Sequence, residues 1–425
     1  MTSARAVRRP GAPSWVIRLV VVTALVGVGG GIGGALVYLA LHAIQHLAFG
    51  YSEGSFLEGL QEAPPVSRVV ALVVAGVIGG VGWWLLRLWG RRRPDHAVVS
   101  VEASVGGRRM PGIVTLINAA LQIVIVGLGA SIGREVAPRE VAALWAGWLS
   151  DRAGVTARER RILVACGAGA GLAAVYNVPL GGAVFAVEIL LAEVSFATIL
   201  PALATSAIAA LVARIVVPAN PLYAVEQVPL SPTIVLWSVL AGPLLGFAAV
   251  GFVKLVAFAQ RHRPRSWGIL IVMPLVFAAV GVVSLWLPAI LGNGRSLGQL
   301  AFTAAMPVLL IFAITVVKTA STAGTIGAGA AGGTLTPSLA IGAGLGLTIG
   351  ALWNLLWPGA PLAGFALIGA AAFLAVTMRA PFTALVLVME FTNQGLQLLA
   401  PIMLCIAGAV AVGYLMERGR VTGVA

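Results

Sequence analysis

The sequence predicts an all-α protein that crosses a membrane many times, built from two inverted structural repeats with tilted and discontinuous helices. Two observations predict it. The first is composition: 60% of the 425 residues are hydrophobic and 10% charged, with a mean hydropathy of +1.01, whereas a soluble globular chain carries about 25% charge. The 53 glycines suit helix packing in lipid, where small residues let backbones approach. The second is a motif carried twice. Gly133-Arg134-Glu135-Val136-Ala137-Pro138 is followed 41 residues later by Pro179 and nine after that by Glu188. Gly332-Gly333-Thr334-Leu335-Thr336-Pro337 is followed 44 residues later by Pro381 and nine after that by Glu390. Small-residue runs starting at Gly167 and Gly369 each begin twelve residues before the late proline. Such repeats in a membrane place a substrate site where the two halves meet.

The chain divides into a basic tail (1–14), a transmembrane domain (15–416) and a short tail (417–425). The first repeat covers about 66–217 and the second about 232–416. The apolar run 15–49 exceeds the ~20 residues needed to span and predicts a strongly tilted helix. The loop 51–66 holds Glu53, Glu58 and Glu62 and no Lys or Arg. A second helix over 67–89 ends in Arg91-Arg92-Arg93-Pro94. Apolar segments follow at 113–132, from Pro138 to 150, and at 162–175. A basic loop lies at 151–161, and Asn177-Val178-Pro179 breaks the chain before a helix over 180–193. Further segments lie at 201–217, 233–259, 267–291 and 304–318. The stretch 320–333 is too glycine-rich for a stable isolated helix, so it reads as irregular backbone walling a site. Apolar segments resume at 338–357, 363–378, 381–391 and 396–416.

The net charge of +13 invites a nucleic-acid reading. The arginines, however, cluster in short loops, as the positive-inside rule requires. Arg5, Arg8 and Arg9, the 91–93 tract and the Arg261, Arg263, Arg265 cluster mark cytoplasmic faces and suit anionic lipid headgroups. The protein is expected in the cell membrane with its N-terminus cytoplasmic and no nucleic-acid partner. Cys166 and Cys405 lie in apolar runs and read as small buried hydrophobes. His42 and His46 have metal-ligand spacing but no acidic or Cys partner, so neither an enzyme nor a metal or other cofactor is expected. Few acidic residues lie in the membrane segments, which speaks against a carboxylate-lined cation path.

Segments 179–193 and 381–391 are too short to span at ~1.5 Å per residue. They read as half-helices, whose N-termini attract anions inside the bilayer. Three Gly-rich turns, 106–111, 133–138 and 332–337, each precede a Pro and an apolar helix, and their convergence would make an anion site. Glu188 and Glu390 each end a half-helix and are expected to bond backbone N–H groups of neighbouring turns. Lys254 and Lys318 are expected at the membrane boundaries, snorkelling, and Arg379 to pin a helix end.

With these motifs in order, the sequence resembles the CLC family of chloride channels and chloride/proton exchangers. Gly133–Pro138 is similar to the family's Gly-Arg/Lys-Glu-x-x-Pro signature. Gly332–Pro337 is similar to Gly-x-Phe-x-Pro, with Leu335 in the Phe place. The stretches from Gly167 to Leu180 and from Arg379 to Asn393 also match. The resemblance implies a homodimer with one pore per subunit, carrying chloride or a similar small anion. It implies Glu135 as a gate whose carboxylate occupies the anion's own position until protonated. Gly107, Arg108, Gly133, Arg134, Val136, Gly333, Thr334, Leu335 and Thr336 are then the candidate anion-binding residues, with Arg108 where the family usually has Ser. The family's inner proton station falls on Ile189, and its pore tyrosine falls nearer Thr422 than Tyr414. Glu188 and Glu193 remain as a proton path, neither well placed by spacing. Passive conduction is therefore favoured slightly over chloride/proton exchange. A carrier of another solute is the more distant alternative.

Overall fold

The computed structural model describes residues 12–421, with side chains from 15 to 418. Arg5, Arg8, Arg9 and Thr422 lie outside the described residues. Seventeen α-helices run in order: α1 Ala12–Phe49, α2 Phe56–Glu62, α3 Pro65–Arg92, α4 Val101–Val105, α5 Gly112–Gly127, α6 Val136–Ala153, α7 Ala157–Tyr176, α8 Pro179–Phe185 and α9 Phe196–Ala213. Then come α10 Pro232–His262, α11 Ile269–Val283, α12 Arg295–Thr303, α13 Val308–Gly327, α14 Leu335–Leu356, α15 Leu362–Met378, α16 Pro381–Thr392 and α17 Leu399–Val421. Seven described helices are long and apolar enough to cross a membrane. At 38 residues, α1 is about 57 Å long by its rise, well beyond a ~30 Å hydrocarbon core, so it must tilt.

Several boundaries move for local reasons. The basic loop expected to reach 161 ends at Thr156, which with Glu159 forms a capping box that starts α7 early; Glu159 N donates to Thr156 Oγ1 at 3.3 Å and Thr156 N to Glu159 Oε2 at 2.7 Å. The helix α6 starts two residues before Pro138, at Val136. The glycine-rich stretch expected to be irregular from 320 is helical to Gly327. Propensities measured in water overstate the glycine penalty here, because buried backbone must hydrogen-bond within its own segment. Only 328–334 leaves the helix, through Gly329 at φ +104°. The expected short tail starts as helix, since α17 continues through 417 to Val421.

The repeats are visible in backbone geometry. The series α5–α6–α7–α8 corresponds to α13–α14–α15–α16. Gly129 (φ +100°) ends α5 as Gly329 ends α13, and Asn177 (φ +55°) ends α7 as Arg379 (φ +54°) ends α15. The first motif pairs with the second directly: Gly133 N donates to Gly333 O at 2.8 Å and Gly333 N to Gly133 O at 3.1 Å. Reciprocal pairing of one glycine from each motif is what a local two-fold relation between the motifs produces. The half-helices repeat it. Glu188 accepts from Phe382 N (3.1 Å) and Thr383 N (2.6 Å) at the start of α16, and Glu390 accepts from Leu180 N (3.0 Å) and Gly181 N (2.6 Å) at the start of α8. Each carboxylate thus satisfies the orphan donors of the other repeat's helix, the packing role expected of both. Past Phe185, α8 widens into a π-helical turn, Ala186–Leu191, which carries Glu188.

Small residues hold the helices together. Between α14 and α15, a Cβ on Gly346 or Gly369 would overlap the facing backbone. Lys318, expected at a boundary, is instead fully buried. Its Nζ donates to Ile290 O at 2.9 Å and Gly292 O at 2.6 Å, tying α13 to the turn before α12. Lys254 is exposed.

Candidate functional site

Glu135 stands at the N-cap of α6 and is 1% exposed. Its Oε1 accepts from the backbone N–H of Leu335 at 2.7 Å, and its Oε2 from the Thr336 hydroxyl at 3.3 Å. Leu335 and Thr336 open α14, where the first N–H groups have no partner in their own helix. The carboxylate of one repeat therefore occupies the anion position offered by the helix N-terminus of the other. The two paired glycines make room for it: a Cβ on Gly133 or on Gly333 would overlap the carboxylate. Among the described residues no cation forms an ion pair with Glu135. Arg139 pairs with Glu102 at 3.2 Å and lies 4.3 Å over the Phe185 ring. Arg134, 4% exposed, lies 4.9 Å over the Tyr176 ring.

A cavity of about 420 Å³ reaches this seat, lined by Glu135, Val136, Gly332, Gly333, Thr334 and Leu335, with Arg139, Ile189 and Arg263 among its walls. It shares Gln260, Arg263 and Ala331 with a larger cavity of about 1020 Å³ that also holds Arg87, Arg91, Arg261 and Arg265. The two basic tracts of the sequence meet there. Arg91 donates to Arg265 O at 2.7 Å and Arg87 to Pro264 O at 2.7 Å. The result is a positive mouth leading to the seat of Glu135.

Two of the three Gly-rich turns converge, and the third does not. Gly107 and Arg108 are exposed and line neither cavity. The N–H groups of Gly106, Gly107 and Arg108 donate back to Glu102 O, Ser104 O and Ala103 O at 2.9–3.0 Å, and Gly107 sits at φ +103°. This glycine pair closes the C-terminus of α4 instead of opening a helix towards an anion. The opposite end of α4 faces the mouth: Val98 and Ser100 line the larger cavity. Glu188 is occupied as a cap, and Glu193 pairs with Arg158 at 2.9 Å. Neither lines the cavity that reaches Glu135, whereas Ile189 does.

One buried group escaped sequence reasoning. Glu140, 5% exposed, lies on α6 in the wall of the smaller cavity. It accepts from Asn118 Nδ2 at 3.1 and 2.9 Å and from Gln122 Nε2 at 3.0 Å. Its signal was present, since an ionisable residue within an apolar segment is a functional candidate by default.

The family model described as "Voltage gated chloride channel" matches residues 70–414. The chain belongs to the voltage-gated chloride channel, or CLC, family. It is 27% identical over 413 residues to the voltage-gated ClC-type chloride channel ClcB of Citrobacter koseri, covering 95% of this chain and 97% of that one. It is 29% identical over 408 residues to a putative chloride channel protein ClcB-like of Ralstonia nicotianae, covering 92% and 93%. Among solved structures it superposes on a slow cyanobacterial Cl−/H+ antiporter with a TM-score of 0.79 at 22% identity, covering 94% of this chain and 95% of that one. It also superposes on a CLC-type fluoride/proton antiporter with a TM-score of 0.74 at 20% identity, covering 94% and 95%. The protein is thus a multi-pass membrane protein of CLC fold and an anion transporter of that family.

Proposed function

We propose that the protein moves chloride, or a small anion like it, across the cell membrane through a pore gated by Glu135. The supporting observation is the Glu135 carboxylate on Leu335 N and the Thr336 hydroxyl. Ionised, it fills the anion's place with its own charge. Protonated, it loses the attraction of the α14 N-terminus and leaves the seat to the anion. The basic mouth raises the local anion concentration and, by the positive-inside rule, faces the cytoplasm together with the N-terminus. A homodimer with one pore per subunit completes the reading, on family membership.

Two modes remain within it. Passive conduction is favoured by Ile189 and by the poor spacing of Glu188 and Glu193. Glu140, beside the cavity that holds Glu135, favours coupled anion/proton exchange. The gate itself is tested by Glu135→Gln in purified protein reconstituted into liposomes. Anion flux is expected to persist and to lose its pH dependence. Flux that keeps the pH dependence of the unmodified protein removes Glu135 from the gate.

A further inference from the structure

We propose that Glu140 is the inner proton station of this transporter, handing protons between the basic mouth and Glu135. The inference rests on the Glu135 gate proposed above and makes anion movement coupled to proton countermovement.

Position comes first. Glu140 is five residues beyond Glu135, about 7.5 Å along α6 at 1.5 Å per residue, and both line the same cavity. Asn118, which holds Glu140, also lines the larger basic cavity. The glutamate therefore borders the cavity of the gate and is one hydrogen bond from a residue that lines the mouth.

Its partners are the second point. Glu188 and Glu390 serve packing and bind backbone N–H groups. Glu140 is held by side-chain amides of α5, and amides can reverse. Trp83 Nε1 donates to Asn118 Oδ1 at 2.9 Å and so points the Asn118 amino group at the carboxylate. Gln122 is fully buried, and its Oε1 has no hydrogen-bond donor. Ionised Glu140 accepts from both amino groups. Protonated Glu140 needs an acceptor, and the unused Gln122 Oε1 becomes one when that amide turns over. Both protonation states can be satisfied in one place, as a relay requires and a packing carboxylate does not.

Charge around it is balanced without neutralising it. Arg139 on α6 is tied to Glu102 of α4 at 3.2 Å, and Arg263 of α10 stands in the wall of the same cavity. The remaining neighbours from α5 and α3 are the uncharged Asn118, Gln122 and Trp83. No described cation forms an ion pair with Glu140. In the transfer, an O–H bond of a hydrated proton at the mouth breaks as one forms on Glu140. That proton then passes through cavity water to Glu135, whose neutral carboxyl releases the α14 N-terminus. An anion takes the seat, and the return stroke discharges the proton on the opposite side.

The test uses the full chain in liposomes loaded with chloride and diluted into low-chloride buffer at equal pH, with electrodes reading Cl− and H+ together. The expected result is H+ uptake accompanying Cl− efflux in the unmodified protein. In Glu140→Gln the H+ to Cl− ratio should fall at least tenfold while Cl− efflux continues. Chloride efflux without protons from the unmodified protein, or an undiminished ratio in Glu140→Gln, overturns the proposal and leaves the Glu135 gate standing. Absence of any anion flux from the unmodified protein overturns both. Should Glu140→Gln carry no chloride, Gln122→Leu decides, because it removes the free acceptor, together with one donor to Glu140, and leaves Leu335 N and the Thr336 hydroxyl in place. A lowered ratio supports the relay, and an unaltered ratio overturns it.

Discussion

At the scale of single residues, the seat of Glu135 depends on space as much as on charge. Gly333 has no positive φ and is glycine because a Cβ there would overlap the Glu135 carboxylate. Gly333→Ala should therefore displace Glu135 from Leu335 N without removing its charge. Anion flux at neutral pH is expected to rise towards that of Glu135→Gln, measured by chloride efflux at several pH values. Glu135, Leu335 and Thr336 were legible from motif and resemblance, because local signatures mark helix starts. Glu140 was not, because its meaning lies in Asn118 and Gln122, which reach it from another helix. Arg108 was misplaced for a related reason: a Gly-Gly pair opens one helix or closes another with equal ease, and only the hydrogen bonds back to Glu102, Ala103 and Ser104 distinguish the two.

At the scale of elements, α8 and α16 each lend a carboxylate to the other's first turn. Hydrogen bonds to a charged group contribute roughly 1.5–3 kcal/mol. Glu188→Gln and Glu390→Gln should each destabilise by about that much, seen as a lower unfolding temperature in detergent. Since Glu188 is committed to α16, its substitution should leave the H+ to Cl− ratio of folded protein unaltered; a changed ratio would return it to the proton path. The half-helices were legible because Pro179 and Pro381 mark their starts and their lengths fall short of a span. The helical course of α13 through Gly324 and Gly327 was not. Thr319 and Thr325 turn their hydroxyls back to Thr315 O and Ser321 O at 2.8 Å, and protein on the surrounding faces holds together a helix that would fray in water.

At the scale of the whole molecule, five of the 27 lysines and arginines stand together where they can act on anions. Arg87, Arg91, Arg261, Arg263 and Arg265 converge on one mouth from α3 and from the end of α10. Their field is screened over about 8 Å at physiological ionic strength. Arg263→Gln is expected to lower anion flux several-fold at low salt and little at high salt. Arg108→Ser, outside both cavities, should change flux at neither. Equal loss at both salts would make Arg263 a structural residue. Sequence placed both basic tracts on one side by charge alone. Their union into one vestibule needed the tertiary contacts of Arg91 with Arg265 and of Arg87 with Pro264 and Gly329.

The glycine bridge between the repeats carries one more consequence. Just past it, Glu135 is the N-cap of α6 in the first repeat and Thr334 the N-cap of α14 in the second. A scaffold with a two-fold axis in its middle has no preferred direction. Two carboxylates at these positions would also crowd like charges into one seat, which is unfavourable. Holding the acid on one side only makes the seat chemically lopsided. An anion arriving from one face meets the carboxylate head-on, and one arriving from the other meets it from behind its stem. Unequal anion flux in the two directions is the expected outcome, measured by comparing flux into and out of liposomes in which the protein has one orientation.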